Sequence, residues 1–231
     1  GAGTWSALRR DAATTAPPPS QAQPVAPPPV RASSEPAAAT TTTTTAPPPA
    51  QPFSVLAALH DIVQGADPTL QVDVLADPST LTIGRDRLRL RIRTSQAGHV
   101  YLFTGGTEKS HFYQLFPNRL DRNNRIEADR ELVLPRPSWE VTAGGPPGIN
   151  HIVVMVSRSP RDFGGTGIKT VGYDIPEFDL EDAAARWAGR AGTAGAASPF
   201  VGAAACPGGS GAECAQGYGA RLIEVEEVAR P

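Results

Sequence analysis

The spacing of apolar residues changes once along the chain, shortly after a first segment with helical spacing. In that segment the apolar residues recur on one helix face. They are Phe53, Leu56, Leu59, Ile62 and Val63. Ser54 stands where a helix N-cap is expected, and Gly65 followed by Pro68 is typical of a helix end. The pattern predicts a short amphipathic helix that opens the folded domain at Phe53.

After this helix apolar and polar residues alternate, which is typical of half-buried strands. The alternation begins at Leu70 and is cleanest over residues 88–93, where every second residue is an arginine. Three arginines on one strand face are a candidate anion-binding stripe, and a solvated sheet face is the commoner meaning of the same alternation. Both interpretations stay open, and the candidate binding residues are Arg89, Arg91 and Arg93.

Further along the chain, short apolar runs are separated by glycine and proline. Residues 98–103 and 112–116 flank Gly105 and Gly106, which predicts a hairpin. Residues 149–156 form the most hydrophobic run, and their β-branched content predicts a central strand buried on both faces. Further strands are predicted over residues 132–134, 139–141 and 222–228.

A second, minor helix is predicted from Leu180 to Ala188, with Asp179 as its cap and two acidic residues in its first turn. Short strands broken by glycine and proline, with few helices, indicate a mainly β fold. We therefore expect a single antiparallel β-sandwich over residues 53–231. An irregular insertion rich in glycine and alanine is expected within it at about residues 190–219.

Residues 1–52 are rich in alanine, proline and threonine and carry no apolar pattern that could build a core. Their proline triplets favour an extended, hydrated chain. Trp5 with Arg9 and Arg10 is similar to the trailing edge of a membrane helix, and an ordinary linker start explains them equally well. We expect a disordered juxtamembrane tether, joined to a membrane span outside this chain.

Composition and charge narrow the classes of function. The 24 prolines and 23 glycines, with 6% aromatic residues, lower the fraction of the chain that can build a core. The formal net charge of −2 provides no field that would hold nucleic acid or an anionic membrane surface. We therefore do not expect a nucleic-acid partner.

Cys206 and Cys214 are separated by a short loop rich in glycine. Such a loop closes easily, and the bond would stabilise a domain in an oxidising compartment by about 2.5 kcal/mol. A zinc site would need two more ligands, and the sequence has no second cysteine pair or close histidine pair. A disulfide is predicted, with two free thiols as the alternative.

The sequence carries little catalytic chemistry. It has no Gly-x-Ser-x-Gly elbow, and its four histidines lack metal-ligand spacing. Asp162-Phe163-Gly164 matches one kinase tripeptide without the remaining kinase signatures. The predicted hairpin would allow His99 and His111 to face each other, which leaves open a pH-sensitive pair or a hydrolase. We expect no metal and no cofactor.

Several segments between Leu88 and Pro160 resemble one bacterial domain family. The segments are Ala97–Phe103, Gln114–Asn118, Asn124–Ile126, Leu134–Pro135 and Gly148–Ser157. The most specific element is a Gly-x-Val-Tyr-Leu strand followed by Leu-Phe-Pro-Asn. The family is a domain of unknown function found at the C-terminal end of membrane-anchored serine/threonine kinases, several of them associated with type VI secretion. Because these motif residues are structural, the resemblance implies a fold and a domain neighbourhood, not a reaction.

The resemblance implies a cytoplasmic kinase, one membrane span and then this domain on the periplasmic side, in agreement with the tether and the cysteine pair. We therefore expect a non-catalytic extracytoplasmic domain for sensing or protein docking. Its partner would be an envelope or secretion-apparatus protein, or a small envelope ligand. The alternatives are a structural assembly module and a hydrolase that uses His99 or His111 with nearby carboxylates.

Overall fold

The computed structural model describes residues 52–172, 174–190, 196–210 and 214–231. The predicted tether, residues 1–52, lies outside these ranges except for Pro52. Parts of the predicted insertion lie outside them as well, namely residues 191–195 and 211–213.

The described residues form two helices and fourteen strands. In chain order these are α1 (Val55–Gln64), β1 (Val72–Ala76), β2 (Thr80–Thr82), β3 (Leu90–Thr94), β4 (Gly98–Thr104), β5 (Tyr113–Phe116), β6 (Arg125–Ile126), β7 (Leu132–Leu134), β8 (Gly148–Ser157), β9 (Arg161–Asp162), β10 (Ile168–Lys169), β11 (Glu177–Phe178), α2 (Leu180–Gly189), β12 (Ala203–Cys206), β13 (Gly209–Ser210) and β14 (Tyr218–Val228).

Three sheets result. The main sheet has the strand order β10-β11-β5-β4-β8-β14-β2, with β6 paired to β4. The small sheet has the order β1-β3-β7, and β13-β12-β9 form the third sheet. Neighbouring strands are antiparallel, except that β2 runs parallel to the end of β14. The predicted mainly β fold with two short helices is therefore confirmed, with one parallel strand pair that the sequence did not indicate.

The main sheet is buried on both of its faces. In β4, Val100 and Leu102 point to one side while Tyr101 and Phe103 point to the other, as the period of a strand requires. β8 lies between β4 and β14, and its residues 152–156 are buried in the same alternating way. The predicted central strand, buried on both faces, is confirmed for this part of the run.

One face of the main sheet packs against the small sheet, and we call the cluster between them the sandwich core. Leu90 and Ile92 of β3 are fully buried in it, together with Leu134 of β7. The arginines of β3 alternate with these inward residues and are exposed. The apolar and basic faces predicted for residues 88–93 are therefore confirmed.

The other face packs against the two helices, and we call this cluster the helix-side core. Ala58, Leu59 and Ile62 of α1 are buried in it. Four fully buried aromatic rings fill the space beside α1. They are Phe103, Phe112, Phe178 and Phe200. These rings pack closely, with centroids 4.5 Å apart for Phe112 and Phe178 and 5.2 Å apart for Phe112 and Phe200.

Both predicted helices form with their predicted caps. The Ser54 hydroxyl accepts a hydrogen bond from the Ala57 N–H at 3.1 Å, and the Asp179 carboxylate accepts one from Asp182 at 3.0 Å. Lys169 also donates to Asp179, and this hydrogen bond is the main cause that lowers the pKa of the Asp179 carboxyl. Neither helix is long and apolar enough to cross a membrane, and the described residues contain no other helix.

The two motifs that carry the family resemblance stabilise the hairpin of β4 and β5. A side chain on Gly98 would place its Cβ 2.5 Å from the Ser157 carbonyl oxygen, so the close approach of β4 to β8 requires glycine. Asn118 is buried, donates to the Leu115 carbonyl and accepts from the Asp121 N–H, so it holds the turn after β5. These contacts support the structural role expected for both motifs.

Cys206 and Cys214 form the predicted disulfide, with Cα atoms 5.8 Å apart. The chain before Cys206 contains regular structure where irregular chain was predicted. β12 pairs with β9, and Phe200 and Val201 are buried in the helix-side core. Strand pairing needs only backbone groups, so an alanine-rich segment can form a strand once a neighbouring aromatic residue anchors it.

Arg161 attaches the part of the chain that contains the two cysteines, which we call the cysteine segment, to the main sheet. Its guanidinium donates to the Ser157 hydroxyl at 2.7 Å and to the backbone carbonyls of Gly202 and Gln216. The same group lies over the Tyr218 ring, 5.3 Å from the centroid. Burial lowers the pKa of Arg161 from its usual value. The guanidinium nevertheless keeps its hydrogen-bond acceptors and its contact with the Tyr218 ring.

The prediction of a strand over residues 139–141 is wrong, because the structure has no strand there. Trp139 instead stacks parallel to Phe116, with centroids 6.1 Å apart, and its indole N–H donates to Asp121. The two prolines at 135 and 137 interrupt the chain before it and remove donors that a strand would use. Residues 139–141 form a loop, and one isolated bridge, between Arg87 and Thr142, follows directly after it.

Candidate functional site

A cavity of about 260 Å³ opens at one end of the sandwich, between the main sheet and the loop that runs from Val141 to Gly145. We call it the end cavity. The turn between β4 and β5 forms its rim, and the first residues of β8 and the last of β14 form its polar wall. The end cavity is therefore assembled from segments that are far apart along the chain.

The floor of the end cavity is apolar. Four main-sheet strands each contribute one aliphatic side chain, and two more residues come from the segments before β3 and before β8. These residues are Leu81, Leu115, Ile152, Val225, Leu88 and Ala143. Because all six also belong to the sandwich core, the floor is held by the same packing that stabilises the fold.

Glu227 is the main polar group of the end cavity, and it is only 7% exposed. Its carboxylate accepts hydrogen bonds from the Gly145 N–H at 2.6 Å and from the Asn150 amide at 2.5 Å. Among the described residues, no lysine, arginine or histidine forms an ion pair with Glu227. Within the described part of the chain, two neutral donors alone form hydrogen bonds with this buried carboxylate.

Gly145 can aim its N–H at Glu227 because it adopts a conformation that glycine tolerates best. Its φ is +72°, and a Cβ at this position would approach the Ile83 side chain at 3.0 Å. The sequence break Gly144-Gly145-Pro146 therefore has a role beyond ending a strand. It turns the loop so that a backbone donor points at the buried carboxylate.

The rim carries further acidic groups around one histidine. His111 Nδ1 lies 2.7 Å from a Glu177 oxygen, and its Nε2 lies 3.6 Å from a Glu108 oxygen. The His111 ring stacks on Tyr113, with centroids 5.2 Å apart. Burial, followed by the charges of Glu177 and Glu108, raises the pKa of the Tyr113 hydroxyl. The rim is therefore an acidic environment.

The chemistry of the end cavity is that of a binding site for positive charge. Glu108 and Glu227 line it, and its lining residues, all within the described ranges, include no lysine or arginine. In the described part of the chain, no group of three or more histidine, cysteine, aspartate or glutamate side chains is arranged to hold a metal ion. An apolar floor with one buried carboxylate suits an organic cation better than an anion.

The predicted arginine stripe lies elsewhere, on the outer face of the small sheet. Arg91 and Arg93 are exposed on β3, as the period of a strand predicts, and Arg89, which is also exposed, lies directly before β3. Glu131 pairs with Arg91 at 3.1 Å and with Arg93 at 3.5 Å. The hydrogen bond from Arg91 is the main cause that lowers the pKa of Glu131. Part of the basic charge is thus neutralised, and anion binding by the stripe stays a prediction.

The predicted meeting of His99 and His111 across the hairpin is wrong. Thr104 pairs with Tyr113, so His111 lies at the loop end of the hairpin. His99 lies at the open end, where its Nδ1 is 3.3 Å from the Asn124 side-chain oxygen. The register shift between Leu102 and Phe103 and the long loop move the two strands away from the simple pairing that the sequence suggested.

Sequence reasoning missed Glu227, although the sequence contained a signal. Val225 and Glu227 are two residues apart in β14, so the period of a strand places both on the same face. Val225 is buried, and the glutamate two positions later is therefore buried as well. Asn150 and Gly145 carry no comparable signal, because their position opposite Glu227 depends on the tertiary fold.

Comparison with known protein families matches residues 80–160 to the model of a domain of unknown function (DUF4384). No curated protein and no solved structure matches the chain. The matched region runs from β2 through β8 and so contains the hairpin, the loop at residues 141–145 and Asn150. The resemblance that the sequence motifs indicated is therefore confirmed as far as a domain of unknown function over residues 80–160.

Proposed function

We propose that this chain is a non-catalytic extracytoplasmic domain that senses a ligand or docks a partner through the end cavity. The observation that carries the proposal is the buried carboxylate of Glu227, held beside an apolar floor by two neutral donors. A concave apolar site with few convergent polar groups is the usual form of a ligand pocket. Burial of a carboxylate without a counter-ion costs free energy, which a bound ligand would recover.

Binding is better supported than hydrolysis. The hydrolase alternative uses His99 or His111 with nearby carboxylates. His111 has such partners in Glu177 and Glu108. Hydrolysis would also need a nucleophile beside that histidine, and among the described residues no serine or threonine hydroxyl hydrogen bonds to His111. The hydroxyl of Thr104, which lines the end cavity, already donates to the His151 carbonyl at 2.9 Å. The Thr104 hydroxyl therefore donates its proton to a backbone carbonyl and not to a catalytic base, as a nucleophile would need.

The extracytoplasmic location is supported by the disulfide of Cys206 and Cys214. Disulfides persist in oxidising compartments and are rare in the cytosol, so the bond is consistent with the periplasmic side of a bacterial inner membrane. Alkylation of the unfolded protein from its native host, without reductant, tests this location. Blocked cysteines are expected, and alkylated Cys206 and Cys214 would contradict it.

The proposal extends to the domain neighbourhood that the family resemblance implies. In that arrangement the chain is the outward end of a membrane-anchored serine/threonine kinase linked to type VI secretion, and its partner is an envelope or secretion-apparatus protein or a small envelope ligand. Sequencing the reading frame upstream of Gly1 tests this extension. A kinase domain followed by one membrane span is expected there, and any other arrangement would contradict the kinase link.

A variant that fills the end cavity tests the binding function. Ala143 is buried and lines the end cavity, so Ala143→Leu places three more carbon atoms in the space that a ligand would occupy. The wild type should retain an envelope component that raises its melting temperature, and Ala143→Leu should not. Ala128 is exposed in a turn, so Ala128→Leu makes the same change away from the end cavity and should bind like the wild type.

Three results would overturn the proposal in different ways. Equal retention by the wild type and Ala143→Leu would show that the ligand binds elsewhere. Recovery of a retained component in chemically altered form, detected by mass spectrometry, would indicate an enzyme. A complete lack of envelope components that shift the melting temperature would favour the structural assembly module.

A further inference from the structure

The charge pattern of the end cavity selects a class of ligand. We infer that the end cavity binds an alkylammonium group, that is, a protonated primary amine on a short apolar chain, with Glu227 as its counter-ion. This inference rests on the proposed function and deepens it, because it names the chemistry that the domain recognises.

Glu227 supplies the first argument. Each oxygen of its carboxylate accepts one hydrogen bond, from Gly145 or from Asn150. An ionised carboxylate offers about four acceptor positions, so each oxygen retains capacity for a further donor. Because Glu227 is 7% exposed, these acceptor positions are largely withdrawn from bulk water. A cationic donor that enters the end cavity would meet a carboxylate whose desolvation has already occurred on folding.

The apolar floor supplies the second argument. Leu81, Leu115 and Ile152 line the same space as Glu227, so a ligand that reaches the carboxylate also contacts aliphatic side chains. The volume of about 260 Å³ lies just below the usual range of roughly 300–1,000 Å³ for small-molecule sites. The end cavity therefore suits a side chain or a small amine better than a cofactor.

The surrounding charges exclude the opposite class of ligand. Glu108 lines the end cavity, and Glu177 contacts His111, which also lines it. An anion in the end cavity would share it with the carboxylates of Glu108 and Glu227, and the lining residues, all in the described part of the chain, include no lysine or arginine. Repulsion between like charges in one cavity disfavours binding, so a carboxylate or phosphate ligand does not fit.

The hydrogen bonds already made by Glu227 favour ammonium over guanidinium. A guanidinium binds best in a fork, with two parallel donors that take both carboxylate oxygens at once. Here each oxygen already accepts one hydrogen bond, from the Gly145 N–H or the Asn150 amide, so a fork would need the remaining position on both oxygens at once. An ammonium is compact and needs one free acceptor position on a single oxygen. The alkylammonium group is thus the cation that the remaining acceptors accommodate.

Calorimetric titration with three ligands of equal chain length tests the inference. The probes are n-pentylamine, 1-pentanol and pentanoate, which have five carbon atoms each and carry a cationic, a neutral and an anionic head group, respectively. Both n-pentylamine and 1-pentanol can donate a hydrogen bond to Glu227, but only the ammonium adds a charge pair. Because a close charge pair contributes about 1.5 kcal/mol or more, we expect n-pentylamine to bind at least about tenfold more tightly than 1-pentanol. Pentanoate should bind more weakly than either.

Glu227→Gln is the matching variant. It removes the charge but keeps the shape, and the Asn150 amide can rotate so that it accepts from the new glutamine while Gly145 still donates. The affinity for n-pentylamine should fall to that for 1-pentanol. Glu108 is a half-exposed rim residue, so Glu108→Gln should lower the affinity by about fivefold or less. Backbone amide shifts of Gly145 and Asn150 in the wild type locate the bound amine independently of any variant.

The results separate this inference from the proposed function. Equal affinities for n-pentylamine and 1-pentanol, tighter binding of pentanoate, or an unchanged affinity in Glu227→Gln would overturn the alkylammonium ligand and leave a binding cavity of another specificity. Absence of binding by all three probes would also overturn it, while the comparison of Ala143→Leu with the wild type still decides the proposed function.

Two sources of alkylammonium are distinguished by a fourth probe. The peptide acetyl-Gly-Lys-Gly-amide carries the same group on a lysine side chain, and the corresponding norleucine peptide lacks the charge. Tighter binding of the lysine peptide than of n-pentylamine supports a partner protein that inserts a lysine. Tighter binding of the free amine supports a small amine of the envelope. A norleucine peptide that binds as well as the lysine peptide would contradict both.

Discussion

The two faces of the main sheet are packed by different kinds of side chain. The helix-side core is rich in aromatic rings, which contact one another at centroid distances of 4.5 to 6.4 Å. The sandwich core is mainly aliphatic and opens into the end cavity at one edge. Closely packed rings leave no space for a ligand. Aliphatic side chains can line a cavity on one side and still pack against the core on the other. The helix-covered face thus supports the sheet, and the sandwich face carries the candidate site.

Polar groups buried on the two faces differ in the same way. On the helix side, the Tyr218 hydroxyl donates to the Ile62 carbonyl at 2.9 Å, and Arg161 binds carbonyls and a hydroxyl of its own chain. On the sandwich side, the Glu227 carboxylate accepts hydrogen bonds from two neutral donors and can accept another from a ligand in the end cavity. A buried polar group satisfied within the protein stabilises the fold, whereas one with remaining capacity beside a cavity points to a ligand.

The largest change in the free energy of unfolding is expected when a side chain is removed from the helix-side core. Phe200 is fully buried and packs against Phe112 and Phe178, so Phe200→Ala should lower the free energy of unfolding by about 3–5 kcal/mol. The affinity of the folded protein for n-pentylamine should stay the same. Denaturant titration measures the first quantity, and calorimetry below the transition measures the second.

Phe53 provides the control for this change, because it belongs to the same aromatic cluster but is only half-buried. Phe53→Ala should cost less, about 1–2 kcal/mol. If Phe200→Ala weakened binding in the folded protein as much as it weakened stability, the division into a supporting face and a binding face would be wrong.

The next largest effect concerns the disulfide beside the helix-side core. Replacement of Cys206 and Cys214 by serine should lower the free energy of unfolding by about 2.5 kcal/mol, the value for a loop of this length. Reductant should destabilise the wild type by the same amount and leave the double variant unchanged. Binding at the end cavity should again be unaffected, and a parallel loss of affinity would link the cysteine segment to the site.

Local patterns in the sequence predicted the parts of this fold that depend on near neighbours. Helical spacing and the caps at Ser54 and Asp179 predicted both helices, and the period of two predicted the inward and outward faces of β3. The disulfide followed from a short, flexible loop. Each of these features is decided within a few residues, which is why a single sequence was sufficient.

The candidate site could not be predicted in the same way. Leu81, Leu115, Ile152 and Val225 come together only through the strand order of the main sheet. Glu227 could have been placed on the buried face by its spacing from Val225, but its partners could not. The strand predicted at residues 139–141 shows the converse, since a local β pattern gave way to the stacking of Trp139 and to the prolines before it. Tertiary contacts decide such positions.

Replacement of Tyr218 is expected to change the free energy of unfolding less, and by an amount that depends on pH. Burial raises the pKa of its hydroxyl to about 12, against about 10 in an unfolded chain. The unfolded state therefore loses this proton first as the pH rises, and stability falls above about pH 10. Tyr218→Phe should cost about 1 kcal/mol at neutral pH, because the Ile62 carbonyl loses its donor.

The matching observation is the slope of stability against pH. Between about pH 10 and pH 12, Tyr218→Phe should lose less stability than the wild type, so that the two curves approach each other. Urea titrations at several alkaline pH values measure both curves. Parallel curves would mean that the Tyr218 hydroxyl is not protected from ionisation by burial on the helix side.

The smallest effect is expected at the outer face of the small sheet, which belongs to neither core. Arg89, Arg91 and Arg93 are exposed there, and exposed ion pairs such as those with Glu131 contribute about 0–1 kcal/mol. Replacement of all three arginines by serine should therefore change the free energy of unfolding by about 1 kcal/mol or less. Capture of the envelope component that the wild type retains should be unchanged, because the end cavity is intact. If capture were lost in this variant and kept in Ala143→Leu, the arginine stripe would be the binding surface, and the contrast between the two faces of the main sheet would describe stability alone.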